Sequence, residues 1–408
     1  MRVCVIGAGP CGLSAVKNLL QAGLRDVVCY EESGGIGGNW AFTDDPDRAG
    51  VHESTHLISS RRLSSFDDFP MPDDYPDFPS HRQMLAYFTG YARAFAVEPH
   101  IRPGSRVERC TRDGDGRWTV RVGAATERFD HLVVCSGHHR VPCMPSFPGT
   151  FAGEILHSSA YKRAESFRGR RVLVVGAGNS AADVAVDVSR VAAHTTISMR
   201  EGRYVIPKLV FGRPVDTVHA YWRRRLPRPL LQRALRWWLR LAVGRWAEYG
   251  LPVPRHAPLD KPPTLNSGLL EALRHGRLVA RPGIARYDGD AVVFTDGTRD
   301  EFDAVVMGTG FRTSFPFLPE PIAAATPLPY LNMMHPAVPN LFFIGLFQPI
   351  GCIWRLADYQ ARIAARRIRS GSGAPHRRSS VDRRVHSGID VDYATFRGQL
   401  LRELARTA

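Results

Sequence analysis

At 408 residues the chain is too long for one ordinary domain, and 44% hydrophobic with 23% charged residues is a globular composition, not a disordered or fibrous one. Lys plus Arg outnumber Asp plus Glu by 54 to 39, a formal charge of +15, but no nucleic-acid recognition module accompanies the excess, and anionic dinucleotides gain from the same field. Seven scattered cysteines with no CxxC pair argue for a reducing compartment and against a disulfide framework, a zinc site or a redox dithiol.

Met1 leads straight into the apolar strand Arg2–Ile6, so no secretory leader is expected, and no run of about 18 uncharged apolar residues predicts a membrane span. A cytoplasmic protein is expected. Gly7-Ala8-Gly9-Pro10-Cys11-Gly12 follows the strand, then a helical stretch at 13–22 and a second strand at 27–31. In this GxGxxG turn Gly7 permits the tight bend, Gly9 lets backbone approach a pyrophosphate, and Gly12 lets helix and strand pack closely. Glu31 ends the second strand, where a carboxylate accepts ribose hydroxyls and disfavours a 2′-phosphate; the site suits FAD or NAD.

A loop rich in Asp, Pro and aromatics covers 67–79. A helix near 82–95 and β-like segments at 117–122 and 131–135 come next, then a proline-rich linker at 141–148. At Arg171–Val175 the opening pattern repeats: strand, Gly176-Ala177-Gly178-Asn179-Ser180-Ala181, helix to about 190, strand at 195–199. Here the strand ends in Arg200, which can pair bidentately with a 2′-phosphate and so points to NADPH. Glu201 would repel a phosphate it faced, and Arg203 is the reserve candidate. The stretch 221–249 is basic, aromatic and helical from 229; it is read either as an interfacial membrane helix with Trp237, Trp238 and Leu239 in lipid, or as a stripe packed on its own protein or on a second subunit of a homodimer. Strands at Ala304–Met307 and 341–344, a long helix at 356–369, a flexible break at 370–375 and an amphipathic helix at Tyr393–Arg406 complete the chain. The fold expected is α/β, two Rossmann-like dinucleotide-binding domains with the NADP domain inserted into the FAD domain. Residues 1–145 begin the FAD-binding domain, 146–300 form the NADP-binding domain with a helical insertion at about 213–250, and 301–408 return to the FAD domain.

Phe151, Gly153, His157 and Tyr161 spell FxGxxxHxxxY. Gly37-Gly38-Asn39-Trp40, Phe66-Asp67-Asp68-Phe69-Pro70, Asp74-Tyr75-Pro76-Asp77-Phe78, Met307-Gly308-Thr309-Gly310-Phe311, the stretch from Ile344 through Gln348 to Gly351, and Ala357–Arg362 stand in order around it. This set resembles the flavin-containing monooxygenases over most of the chain, failing mainly over about 212–250. The resemblance implies FAD and NADPH as cofactors, and a cofactor-binding set that adds Gly38, Trp40, Val107, Ser136, Gly137, His157, Asn179, Ser180, Thr309, Gly310 and Gln348 to Gly7, Gly9, Gly12, Glu31, Gly176, Gly178 and Arg200. It implies that reduced flavin takes up O2 as a C4a-hydroperoxide, whose distal oxygen passes to a small soft nucleophile (an amine or thioether). No metal is required, and no ligand cluster suggests one.

His157 and Tyr161 are expected to donate hydrogen bonds to the nicotinamide nucleotide, or in the case of His157 to be architectural. Counting back from Phe66, the family's Thr-Asn pair falls on Leu57-Ile58, with Ser59 and Ser60 adjacent as substitutes; Ile58, Ser59, Ser60 and Tyr161 form the candidate catalytic set. Isoleucine makes no hydrogen bond, which brings an H2O2-producing NADPH oxidase into view. Baeyer–Villiger oxygenation of a ketone is a second alternative, with Tyr161 where that group prefers Trp. Arg355, in place of a family Pro, is read as a solvated helix-start residue or as a selector of acidic substrates.

Overall fold

The computed structural model describes residues 1–223, 225–323, 328, 330–335, 337–371 and 389–407. The 372–375 part of the expected break at 370–375 lies outside them. The chain divides into one unit of Met1–Ala41, Arg61–Arg140 and Thr313–Ala408, and another of Phe42–Ser60 and Val141–Arg312. The second unit therefore interrupts the first twice in sequence, and the 42–60 stretch, read from sequence as part of the first domain, packs with the second.

In the first unit Arg2–Ile6 buries four of its five residues, which requires cover on both sheet faces. It pairs in parallel with Asp26–Tyr30 on one side and His131–Val134 on the other. The six-strand order is Met334–His335, Val338–Phe343, His131–Val134, Arg2–Ile6, Asp26–Tyr30, Ile101–Arg102, antiparallel only at its first pair. Pro10 sits in the first turn of the Pro10–Gln21 helix, where its missing N–H is no loss. The His81–Ala94 helix starts with a reciprocal cap: Gln83 N donates to Ser80 Oγ (3.4 Å) and Ser80 N donates to Gln83 Oε1 (2.9 Å). A three-stranded antiparallel sheet, Val107–Arg112, Trp118–Val122 and Ala125–Phe129, brings Trp118 and Phe129 into the same core as Cys4, Ile6 and Leu132.

The second unit repeats the plan. Its five strands run in the order Val279–Arg281, His194–Ser198, Arg171–Val175, Ala304–Met307, Glu154–His157, all parallel. The Asn179–Val188 helix packs through Ala181, Val184 and Ala185 into one core. A second antiparallel sheet, Ile284–Asp288, Ala291–Phe294 and Arg299–Glu301, closes another. Part of the expected linker is ordered: Val141–Pro142 pairs antiparallel with Phe311–Arg312.

The insertion forms the helices Val215–Arg223 and Arg228–Ala242. Leu239 is 2% exposed in the core of the second unit and Trp238 is half-buried against it, so only Trp237 of the three residues read as lipid-facing points fully outward. Helical geometry decides this, because consecutive residues lie about 100° apart around the axis. Among the described residues no helix is long and apolar enough to cross a membrane. All seven cysteines are free thiols.

Candidate functional site

Around Gly7 the first cradle leaves no space for side chains. Gly7 has φ +99°, and a Cβ on it would lie 2.8 Å from the Cys135 carbonyl oxygen; a Cβ on Gly12 would lie 1.8 Å from the Gly7 carbonyl oxygen. Gly9 faces Gly38 across a gap that a Cβ on Gly38 would narrow to 3.0 Å. The Glu31 carboxylate is buried and accepts from Ala8 N (2.7 Å) and Ser33 N (2.8 Å), which aims it at the turn while two of its roughly four lone-pair sites stay available. Such a bare backbone turn backed by an acid fits the ribose and pyrophosphate of a flavin dinucleotide.

The other residues expected to hold the flavin lie in the same unit. Trp40 stands edge-on to Trp354 (5.8 Å between ring centres), whose Nε1 donates to Ser64 O (2.6 Å). Val107 is buried at the start of its strand, and Ser136 with Gly137 (φ +73°) follows the His131–Val134 strand. Gln348 Oε1 lies 3.1 Å from His138 Nε2. The Phe66–Pro70 motif is an anchor: Tyr87 accepts from Phe66 N and donates to Phe69 O, while Asp68 receives the buried Lys17 ammonium (2.6 Å). Arg355 pairs with Asp67 (2.6 Å), so its guanidinium is held by the protein and the substrate-selector reading falls.

The second cradle is equally tight: a Cβ on Gly176 (φ +139°) would meet the Gly308 carbonyl oxygen at 2.3 Å, whereas Gly178 opens outward and Ser180 is exposed. Asn179 accepts from Leu265 N (2.7 Å) and Thr264 Oγ1 donates to Ala177 O (2.5 Å), which fixes the turn from its side. Arg200 is exposed, with no ion pair among the described residues, and Glu201 turns to Lys261 (2.9 Å). That contact holds the Glu201 carboxyl below its ordinary range. The arrangement removes the expected repulsion and leaves Arg200 available for an anion; Arg203 donates to Pro262 O (3.0 Å). A cradle followed by an unpaired guanidinium fits a phosphorylated nicotinamide dinucleotide.

Of the two readings open for His157 the geometry supports the architectural one, and the expectation for Tyr161 changes. The His157 ring is buried and accepts at Nδ1 from Ser159 N (3.1 Å), so Nε2 carries the proton and donates to Gly310 O (2.9 Å). Both nitrogens are occupied, and burial lowers the ring's basicity. His157 is thus a strut between the Glu154–His157 strand and the Met307–Phe311 turn, where Thr309 Oγ1 also donates to Cys143 O. Tyr161 is 1% exposed and donates to Asp187 Oδ2 (2.7 Å), which also accepts from Ser54 Oγ (2.7 Å). Its hydroxyl proton already has an acceptor, so Tyr161 positions the 42–60 stretch in place of donating to a ligand.

Ile58 lies at a bend between buried Leu57 and Ser59. Lys208 Nζ donates to Leu57 O (3.4 Å) and Ser60 N donates to Asp216 Oδ2 (2.6 Å), so this stretch is clamped from both sides within its unit. The sequence reading missed the polar side of the Asn179–Val188 helix. Asn179, Asp183 and Asp187 recur every four residues and bind, in turn, Leu265 N, Asn266 Nδ2 (2.6 Å to Asp183) and the Ser54–Tyr161 pair. That spacing is legible in the sequence.

Burial pushes the Asp183 carboxyl up to about 6. A raised carboxyl binds its proton more tightly in the folded chain, so its stabilising contribution is full below the ordinary carboxyl range and is lost as pH rises through about 6. Asp183→Asn is expected to flatten the melting profile between pH 4 and 7 and to raise stability at pH 7 by about 1–3 kcal/mol. Thermal melts across that range check it; an unchanged slope discards the assignment.

Two cradles of this form in one chain, one backed by an acid and the other followed by a free base, define a dinucleotide-dependent flavoprotein. The flavin-binding monooxygenase-like family matches residues 1–384. The chain belongs to that family, and it is a flavin-dependent monooxygenase. It is 36% identical over 390 residues to the rat dimethylaniline monooxygenase [N-oxide-forming] 2, covering 90% of this chain and 72% of the relative. The garlic (Allium sativum) S-allyl-L-cysteine S-oxygenase structure superposes with a TM-score of 0.73 at 21% identity, over 99% of this chain and 88% of that one. A doubly substituted flavin monooxygenase from Stenotrophomonas maltophilia superposes with a TM-score of 0.70 at 26% identity, over 91% and 98%.

Proposed function

We propose that this enzyme binds FAD and NADPH and inserts one atom of O2 into a small soft nucleophile at nitrogen or sulfur, the other atom leaving as water. What carries the reading is the contrast between the two cradles: buried Glu31 behind the first and unpaired Arg200 after the second. The rat relative is named for N-oxide formation and the garlic protein for S-oxygenation, and both chemistries need an electron-rich acceptor. Bound FAD, once reduced, supplies the ring that activates O2.

The chain's own residues bind and orient. Gly7, Gly9, Gly12, Glu31 and Gly38 would hold the flavin nucleotide; Gly176, Gly178, Asn179 and Arg200 would hold NADPH. Tyr161 and Asp187 fix the 42–60 stretch, and His157 fixes the Met307–Phe311 turn. Isoleucine at position 58 has no side-chain hydrogen bond to offer, so part of the reducing power is expected to escape as H2O2.

Incubation with NADPH, air and either dimethylaniline or methyl phenyl sulfide tests this: N-oxide or sulfoxide should form and NADPH consumption should rise with substrate. Consumption that ignores every substrate, with all electrons recovered in H2O2, replaces the reading with an NADPH oxidase. Ile58→Asn is expected to lower the H2O2 formed per NADPH by about threefold or more, the worth of one added hydrogen bond; an unaltered ratio removes Ile58 from the site. Arg200→Ala should raise KM for NADPH by about thirtyfold, some 2 kcal/mol of charge-assisted bonding, with little change for NADH. Equal effects on the two would end the 2′-phosphate role.

A further inference from the structure

A cavity of about 580 Å³ opens in the second unit beside the Arg228–Ala242 helix. That is within the roughly 300–1,000 Å³ of small-molecule sites. Its apolar floor comes from the core: Leu239, Trp246 and Tyr204 are each under a tenth exposed. The Tyr204 ring stands edge-on to Trp246 (6.1 Å between centres) and to His256 (5.4 Å), and its hydroxyl donates to His256 O (3.0 Å). Gly202 lets the wall approach, since a Cβ there would lie 2.3 Å from the Pro252 carbonyl oxygen. The floor is therefore a rigid, preorganised aromatic corner.

Four arginines, Arg236, Arg240, Arg245 and Arg255, are among the residues that line the same cavity. All four residues are exposed, and none of their side chains has an ion pair or hydrogen bond among the described residues. The neighbouring acids are engaged elsewhere: Glu248 with Arg274 (3.0 Å), Asp260 with Arg228 (3.0 Å), Glu201 with Lys261 (2.9 Å). Four like charges around one cavity repel one another, and an anion placed among them relieves that repulsion. A solvated basic face would account for the charges alone; it does not account for charges set around a concave aromatic floor.

None of Gly176, Gly178, Asn179, Arg200 or Arg203 lines the cavity, so it is not the nucleotide cradle. We propose that it is a second ligand site, for a small amphiphilic organic anion whose apolar body rests on Tyr204, Leu239 and Trp246 and whose carboxylate is held by the arginines.

Titration calorimetry of the FAD-loaded protein with octanoate tests this, with 1-octanol and inorganic phosphate as the apolar-only and anion-only probes. Octanoate should saturate one site per chain, and either partial probe should bind at least about tenfold more weakly. The Arg236→Gln/Arg240→Gln and Arg245→Gln/Arg255→Gln variants should each weaken octanoate by about tenfold or more while flavin content and KM for NADPH stay unchanged. Absence of saturable heat, octanoate affinity in either variant equal to that of the unsubstituted protein, or octanol or phosphate binding as well as octanoate would each overturn the proposal.

Discussion

Gly12→Ala is expected to give a protein that loses its flavin. The added Cβ would lie 1.8 Å from the Gly7 carbonyl oxygen, and that atom belongs to the turn itself, so relief requires moving backbone. Gly7 is already at φ +99° and closes against the Cys135 carbonyl, which leaves the turn no direction in which to yield. The displacement costs of order 3 kcal/mol, about a hundredfold in affinity for the dinucleotide. Gly34 is the matched control, because a Cβ there meets nothing within 4 Å. Flavin absorbance per chain after gel filtration should collapse for Gly12→Ala and hold for Gly34→Ala; full flavin content in the first would show that this turn does not cradle the nucleotide.

Lys17→Met should produce the largest loss of stability among single charge deletions. Lys17 is 1% exposed, and its ammonium donates to Asp68 (2.6 Å) and Asp358 (2.9 Å), with Arg362 (2.7 Å) and Asn18 (2.7 Å) completing the shell of Asp358. Its removal leaves two carboxylates facing one guanidinium, and breaking a buried set in this way costs about 3–5 kcal/mol. The exposed Arg168–Glu165 pair is the contrast: Arg168→Ala should cost under about 1 kcal/mol. Denaturant midpoints for the two variants decide it, and a Lys17→Met midpoint no lower than that of Arg168→Ala would refute the buried-cluster account. Lys17 also ties the Pro10–Gln21 helix, whose first turn faces the flavin cradle, to the Phe66–Pro70 motif.

Both cradles were legible in the sequence because their glycines answer to local sterics: Gly7, Gly12 and Gly176 each sit where a single Cβ collides with backbone. The charge difference between Glu31 and Arg200 was legible too, since each lies within two residues of the end of the strand that follows its turn. For His157 the architectural reading was open, but its contact was not legible. Its partner Gly310 lies 153 residues away, and only the pairing of Glu154–His157 with Ala304–Met307 brings them together. From the sequence Tyr161 reads as a donor to the nucleotide, because its acceptor, Asp187, lies 26 residues further on and meets it only in the folded unit. The assignment of 42–60 to the second unit depends on Ser54, Leu57 and Ser60 meeting Asp187, Lys208 and Asp216, side chains spread over the later sequence. In the 229–247 stretch composition alone did not separate the lipid-facing reading from a packed one; the helical phase that buries Leu239 does.

Anaerobic titration of the purified protein with NADPH bears most directly on the claim that one chain holds both nucleotides. One FAD per chain, bleached by one equivalent of NADPH and far more slowly by NADH, is the predicted result. A colourless protein that takes up no FAD from excess, or a yellow one whose flavin NADPH leaves oxidised, would contradict it.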